Sequence, residues 1–112
     1  MDWKTELAEA STNIGAYRTA QAETAAGFTA LHRASMAAGA IGAKEKELIA
    51  LSIGIAKQCI DCIGFHVQAA AAAGATRAEI EETVNVCVMM GGGPSFMYGV
   101  KAIEAFDQLC AD

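Results

Sequence analysis

The sequence predicts an all-α fold. No segment alternates polar and apolar residues with a period of two, the strong helix formers alanine, leucine, glutamate and lysine recur throughout, and only one proline stands in 112 residues. From about Trp3 to Ala38 the chain can be helical, with a break expected near Asn13 to Gly15, and Gly39 with Gly42 ends the stretch. Lys44-Glu45-Lys46-Glu47 opens the next helix as a mostly solvated start, and Leu48, Leu51, Ser52 and Ile55 form one stripe at helical spacing. That helix ends near Lys57 and Gln58. Another begins around Ile60 and runs through Ala73, where Gly74 supplies the left-handed position that helix ends favour. Thr76 and Glu79 have the spacing of a capping box, with Ile80, Val84, Cys87 and Val88 as the apolar face behind it. Gly91-Gly92-Gly93 stops this helix. Gly93 and Pro94 suit the cap and first turn of a last one, in which Phe96, Val100, Ile103 and Cys110 share a face.

Residues 1–112, 11.6 kDa, are read as a single domain with no repeat or linker, which excludes a two-domain cofactor enzyme. Eight basic and thirteen acidic residues leave a formal charge of -5, so neither nucleic acid nor an anionic membrane is an expected partner. Apolar residues make up 54% and mean hydropathy is +0.29, too high for disorder, yet 25 of the residues are alanine and make a thin core. A surplus of apolar surface on so short a chain is expected to be covered by other copies, as a homo-oligomer. Met1-Asp2-Trp3-Lys4-Thr5-Glu6 lacks the basic-then-apolar order of a secretory signal. The longest uncharged run, Thr83 to Val100, is broken by Gly91-Gly92-Gly93-Pro94 and reads as two helix segments and a turn rather than a membrane span. The uneven cysteine positions 59, 62, 87 and 110 do not suggest a secreted disulfide framework, so a cytoplasmic location is expected.

The residues that carry chemistry cluster around Cys59-Ile60-Asp61-Cys62. Two thiols one helical turn apart can form a disulfide if the first sits at or just before the helix start, a geometry suited to reversible redox work. A cysteine in the first turn sees the positive end of the helix dipole, which favours thiolate, and Lys57 adds a cation; Asp61 opposes both. His66 follows Cys62 by four residues, which places imidazole and sulfur on one helix face, where the ring can take the thiol proton. A bare C-x-x-C also occurs in zinc sites. Cys59, Cys62, His66 and one of Glu47, Cys87 or Cys110 form the alternative ligand set, and two buried cysteines without chemistry are the plainest reading.

Glu47, twelve positions before Cys59, completes E-x11-C-x-x-C-x-x-x-H, which resembles the active-site pattern of the alkylhydroperoxidase D-like, carboxymuconolactone decarboxylase superfamily. The resemblance extends from about Lys44 to Tyr98 through Lys44 to Leu51, His66 to Gly74, Ala75 to Ile80 and Met90-Gly91-Gly92-Gly93-Pro94. It implies a helical subunit assembled into trimers or hexamers, and reduction of hydroperoxides by a dithiol of thioredoxin-like or lipoyl type, with no cofactor and no metal. In the implied scheme Cys62 attacks the peroxide and becomes a sulfenic acid, Cys59 condenses with it to a disulfide, and Glu47 and His66 form the proton relay. Well-known peroxidase members of the family carry a histidine between the cysteines where this chain has Asp61. The family's other name implies a rival, a lyase acting on a lactone with Glu47 and His66 as acid and base and the thiols incidental.

The remaining singular residues carry weaker signals. Gly91-Gly92-Gly93-Pro94 is not a phosphate loop, since no strand precedes it and no Gly-Lys-Ser/Thr follows. Cys87 and Cys110 read as structural, Met36, Met89, Met90 and Met97 as flexible core filling, and His32 has no partner at an informative spacing.

Overall fold

The computed structural model describes residues 1–110. Six helices follow one another: α1 (Trp3–Ala20), α2 (Ala22–Met36), α3 (Ala43–Ala56), α4 (Ile60–Ala72), α5 (Arg77–Gly91) and α6 (Gly93–Leu109). Among the described residues no strand occurs. The most extensive pairings are α3 with α4 and α5 with α6, and α4 also lies on α6. Leu51 and Ile55 of α3, Ile63 and Val67 of α4 and Ile80 of α5 meet without solvent exposure between these pairs. None of the helices is long and apolar enough to cross a membrane, among the described residues.

Local chemistry sets most boundaries where they are expected. The capping box at the start of α5 forms in both directions: Thr76 Oγ1 accepts from the Glu79 N–H, and Glu79 Oε1 accepts from the Thr76 N–H at 2.9 Å. The second oxygen of Glu79 accepts from Lys44 Nζ at 2.8 Å, which ties the start of α3 to the start of α5. The lysine ammonium, with the Thr76 N–H, holds the Glu79 carboxyl below its ordinary value. Gly74 (φ 102°) and Gly92 (φ 72°) take the left-handed turns after α4 and between α5 and α6.

Three expectations are corrected. The N-terminal helix does not break near Asn13 to Gly15, which lie inside α1; the chain bends at Gln21, whose φ of -130° and ψ of 57° leave the helical region. The propensity cost of Asn13 and Gly15, up to about 1 kcal/mol each, is too small to interrupt a helix of 18 residues, and Gly15 has open space around it. On α6 the buried face is Ser95, Gly99, Ala102 and Ala105, whereas Phe96 and Val100 are exposed. Small residues win this face because α5 comes close: a Cβ on Gly99 would stand 2.6 Å from Val84 Cγ1. Met89, Met90 and Met97 are likewise not core but exposed, Met90 by 77%.

α1 is docked at its N-terminus alone. Trp3 is fully buried, its indole N–H donates to Glu104 Oε1 at 2.7 Å and its backbone N–H donates to Gln108 Oε1 at 2.8 Å, so the start of the chain is fastened to the end of α6. Beyond Leu7, α1 and α2 bury only Ala25, and the pair projects as a helical hairpin. The radius of gyration, 14.2 Å, exceeds the roughly 13 Å of a compact chain this long, as such a projection requires. Gly64 makes the docking of α1 feasible, because a Cβ there would meet Leu7 Cδ2 at 2.7 Å and the Trp3 ring at 3.0 Å. Gly64→Ala is therefore expected to lower unfolding free energy by about 1–3 kcal/mol. Gly15→Ala, in open space on α1, is expected to raise it by about 0.5–1 kcal/mol. Urea titration of the two variants tests the contrast.

Candidate functional site

The turn between α3 and α4 builds the centre of the site. α3 closes with a Schellman arrangement: the Gln58 N–H donates to the Ile55 carbonyl at 3.0 Å and the Cys59 N–H to the Gly54 carbonyl at 3.0 Å. Gln58 takes the left-handed position at φ 57°, where glycine is usual. The residue after it, Cys59, is both the end of that motif and the N-cap of α4, with extended φ and ψ of -101° and 100°. Its Sγ accepts from the Cys62 N–H at 3.3 Å, and Cys59 and Cys62 are joined in a disulfide across a Cα–Cα separation of 5.2 Å. Cys59 thus sits at the helix start, the condition that the spacing of two thiols one turn apart sets for a bond. α4 then points its first-turn N–H groups and the positive end of its dipole toward the pair.

α3 and α4 run antiparallel in close contact. A Cβ on Gly54 would lie 3.2 Å from Cys62 Cβ, so the absence of a side chain there lets α4 approach. Two turns earlier on α3, Glu47 reaches the other helix, and its Oε1 lies 3.2 Å from His66 Nδ1. Glu47 is buried, 8% exposed, and belongs to the second turn of α3 rather than to a solvated start. Lys46, its neighbour, is also engaged: its ammonium donates to the carbonyls of Ser35 at 2.9 Å and Ala37 at 2.7 Å. With the carboxylate on Nδ1, the imidazole keeps Nε2 for a second proton partner. His66 follows Cys62 by one turn on α4, so the sulfur, imidazole and carboxylate line one continuous edge of the α3–α4 pair.

Asp61 turns away toward α1. One of its oxygens, Oδ1, is buried without a hydrogen-bond partner, and the carboxyl lies against Glu6. Hydrogen bonding and repulsion from Asp61 push the Glu6 carboxyl above its ordinary value. Glu6 gave no sign of this in the sequence, since nothing local relates positions 6 and 61.

The other cysteines lie elsewhere. Cys87 is buried on α5 and its Sγ–H donates to the Ser52 carbonyl at 3.8 Å; Cys110 caps α6. Burial pushes both thiols up. Among the described residues no three His, Cys, Asp or Glu side chains are grouped to hold a metal ion, so the alternative zinc set is not assembled. The structure does bring in one histidine that spacing left without a partner. The ring of His32, on α2, stands 6.4 Å from that of His66, centre to centre, with 31° between their planes.

Comparison with known proteins finds relatives along nearly the whole chain. The model of the carboxymuconolactone decarboxylase family matches residues 22–105. An uncharacterized protein of Cupriavidus necator is 38% identical over 110 residues, 98% of this chain and 97% of its own. The crystal structure of a carboxymuconolactone decarboxylase family protein from Legionella pneumophila superposes with a TM-score of 0.94 at 40% identity, covering 98% of this chain and 97% of that one. A Thermotoga maritima protein of the same family shares the fold, with a TM-score of 0.82 at 24% identity over 93% of this chain and 89% of that one.

The Glu6–Asp61 contact sets a sign for pH dependence. A carboxyl raised on folding stabilises the folded state at pH below its ordinary value of 4.5, and that contribution is lost as pH rises through the raised value. Asp61→Asn is expected to raise the melting temperature at neutral pH and to flatten its decline between pH 4.5 and 7. Thermal melts of the disulfide-bonded protein across that range check it, and parallel profiles for the two proteins would contradict it.

Proposed function

The chain belongs to the carboxymuconolactone decarboxylase family, and from that premise we propose that it reduces hydroperoxides, organic ones ahead of hydrogen peroxide, with a dithiol as electron donor. The observation that carries the reading is the Cys59–Cys62 disulfide at the start of α4, on the same helix edge as the bonded Glu47–His66 pair. A redox-active dithiol needs a bond that opens and closes without moving the backbone far, and a base within a turn of the attacking sulfur.

In the reduced protein His66 Nε2 takes the proton of Cys62, with Glu47 holding the ring by Nδ1. The thiolate attacks the terminal oxygen of the hydroperoxide. An S–O bond forms, the O–O bond breaks, sulfur is oxidised to sulfenic acid and the alkoxide is protonated to the alcohol. The Cys59 thiol then attacks the sulfenic sulfur, forming the disulfide and releasing water. A thioredoxin-like or lipoyl-type dithiol restores both thiols by exchange and leaves as its own disulfide. Cytoplasm, where such dithiols are kept reduced, is the location the reading requires. Glu47 and His66 also support the family's lactone chemistry, since their hydrogen bond involves neither cysteine.

The working form is a homo-oligomer, a trimer or hexamer. Its support is the apolar surface left open on one subunit: Phe28 and Leu31 on α2, Met89 and Met90 on α5, and Phe96 and Met97 on α6 are all more than half exposed.

Three measurements test the proposal. Cys62→Ser abolishes hydroperoxide-dependent oxidation of a dithiol, whereas Cys59→Ser leaves a sulfenic acid that dimedone traps; equal turnover in wild type and Cys62→Ser would sink the assignment. A variant lacking all four cysteines that still turned over a lactone would move the protein to the lyase class. Sedimentation equilibrium at micromolar concentration should give three or six times the 11.6 kDa chain mass, and a stable monomer overturns the oligomer.

A further inference from the structure

We infer that His32 is a second histidine of the site, a catalytic acid that delivers a proton to the departing oxygen of the substrate. The inference rests on the hydroperoxide reading and assigns a step that Glu47, Cys59, Cys62 and His66 leave open. In their scheme His66 receives the thiol proton beside Cys62, while the alkoxide is released on the far side of the O–O bond, away from the sulfur. Alkoxide is a poor leaving group unless protonated as it leaves, so a donor facing that oxygen has work that the base beside sulfur is badly placed to do.

The geometry of the two rings fits that division. Two imidazoles with centres 6.4 Å apart and planes tilted by 31° stand near the outer limit of aromatic contact. The two oxygens of a hydroperoxide fit between them, the terminal one about 2.8 Å from His66 Nε2 beside the sulfur and the alkyl-bearing one about 2.8 Å from a nitrogen of His32. His32 is exposed and His66 half-buried, so the space beside the two rings is open to solvent. His66 has Nδ1 engaged by Glu47, which leaves Nε2 for the cysteine and the terminal oxygen.

α2 holds His32 there through a contact at its end. The body of α2 is loosely packed, with only Ala25 buried, and the Lys46 ammonium caps the helix by accepting none and donating to two carbonyls, those of Ser35 and Ala37. These lie within five residues of His32, and Lys46 is adjacent in sequence to Glu47. One lysine therefore fastens the segment that carries His32 to the segment that carries the relay carboxylate. Lys46 is a positioning residue.

The Cys62 proton passes to His66, and the thiolate attacks the terminal oxygen. The O–O electron pair leaves on the alkyl-bearing oxygen, which takes a proton from protonated His32 and departs as the alcohol. His66 then loses the thiol proton and His32 regains one, both by exchange with solvent. Thiol and hydroperoxide have become sulfenic acid and alcohol, with no proton gained or lost.

The test uses the reduced full-length protein in single-turnover reactions at Cys62, with cumene hydroperoxide and with peracetic acid, whose acetate leaving group needs no proton. His32→Ala and His32→Gln should slow the hydroperoxide reaction by about 10²-fold. The peracetic acid rate and the pH profile of Cys62 alkylation by iodoacetamide should be unchanged, the latter also reporting an intact site. Lys46→Met should lower the hydroperoxide rate relative to the peracid rate, and Lys46→Arg should restore the ratio. Equal losses with both oxidants, or no loss with either, overturn the role of His32. A wild-type Cys62 that reacts with neither oxidant overturns the hydroperoxide reading itself, and the assignment with it.

Discussion

The close antiparallel contact between α3 and α4, opened by the missing side chain of Gly54 against Cys62, is the constraint from which the site follows. Two helices that must lie this near and reverse direction within three residues need a tight turn, and the Schellman closure through Gln58 supplies it. That turn leaves Cys59 with extended backbone at the head of α4, one turn from Cys62. The same contact, followed along both helices, brings Glu47 to His66. Disulfide and relay are two consequences of one packing arrangement. A larger residue at position 54 presses on both.

Around this pair the remaining helices differ in how firmly they are held. α5 and α6 close the core with small residues facing Val84, and the Lys44–Glu79 bond joins their capping box to the start of α3. α1 is held through Trp3 and Leu7 over Gly64, and α2 chiefly through Lys46 at its C-terminal end. The loosely held helices nonetheless bring charged and basic groups to the site. Glu6 comes to Asp61 and His32 comes to His66. The acid between the two cysteines thereby lies against a partner on α1.

The open apolar surface has the same origin. α1 beyond Leu7 and most of α2 bury almost nothing within the subunit, while methionines and phenylalanines on α5 and α6 face outward. A chain with 25 alanines does not enclose all of its larger apolar residues by itself, because small side chains let helices approach but leave little volume to surround every methionine and phenylalanine.

Much of this was legible in the residues alone. Helical periodicity, Gly74, the Thr76–Glu79 box and Gly93-Pro94 placed the helices from α3 to α6, because caps and turns are local and depend on a few neighbouring residues. The family resemblance carried by E-x11-C-x-x-C-x-x-x-H implied Glu47 and His66 as a pair, and in the structure they are hydrogen-bonded. The break at Gln21, the inward face of α6 and the exposure of the methionines were not legible, since each depends on how near another helix comes. Position along the chain determined which side chains share a helix face. Which faces meet across helices, and so the neighbours of His32 and Asp61, was decided only by tertiary packing, because contacts between residues dozens of positions apart have no periodic trace in one sequence.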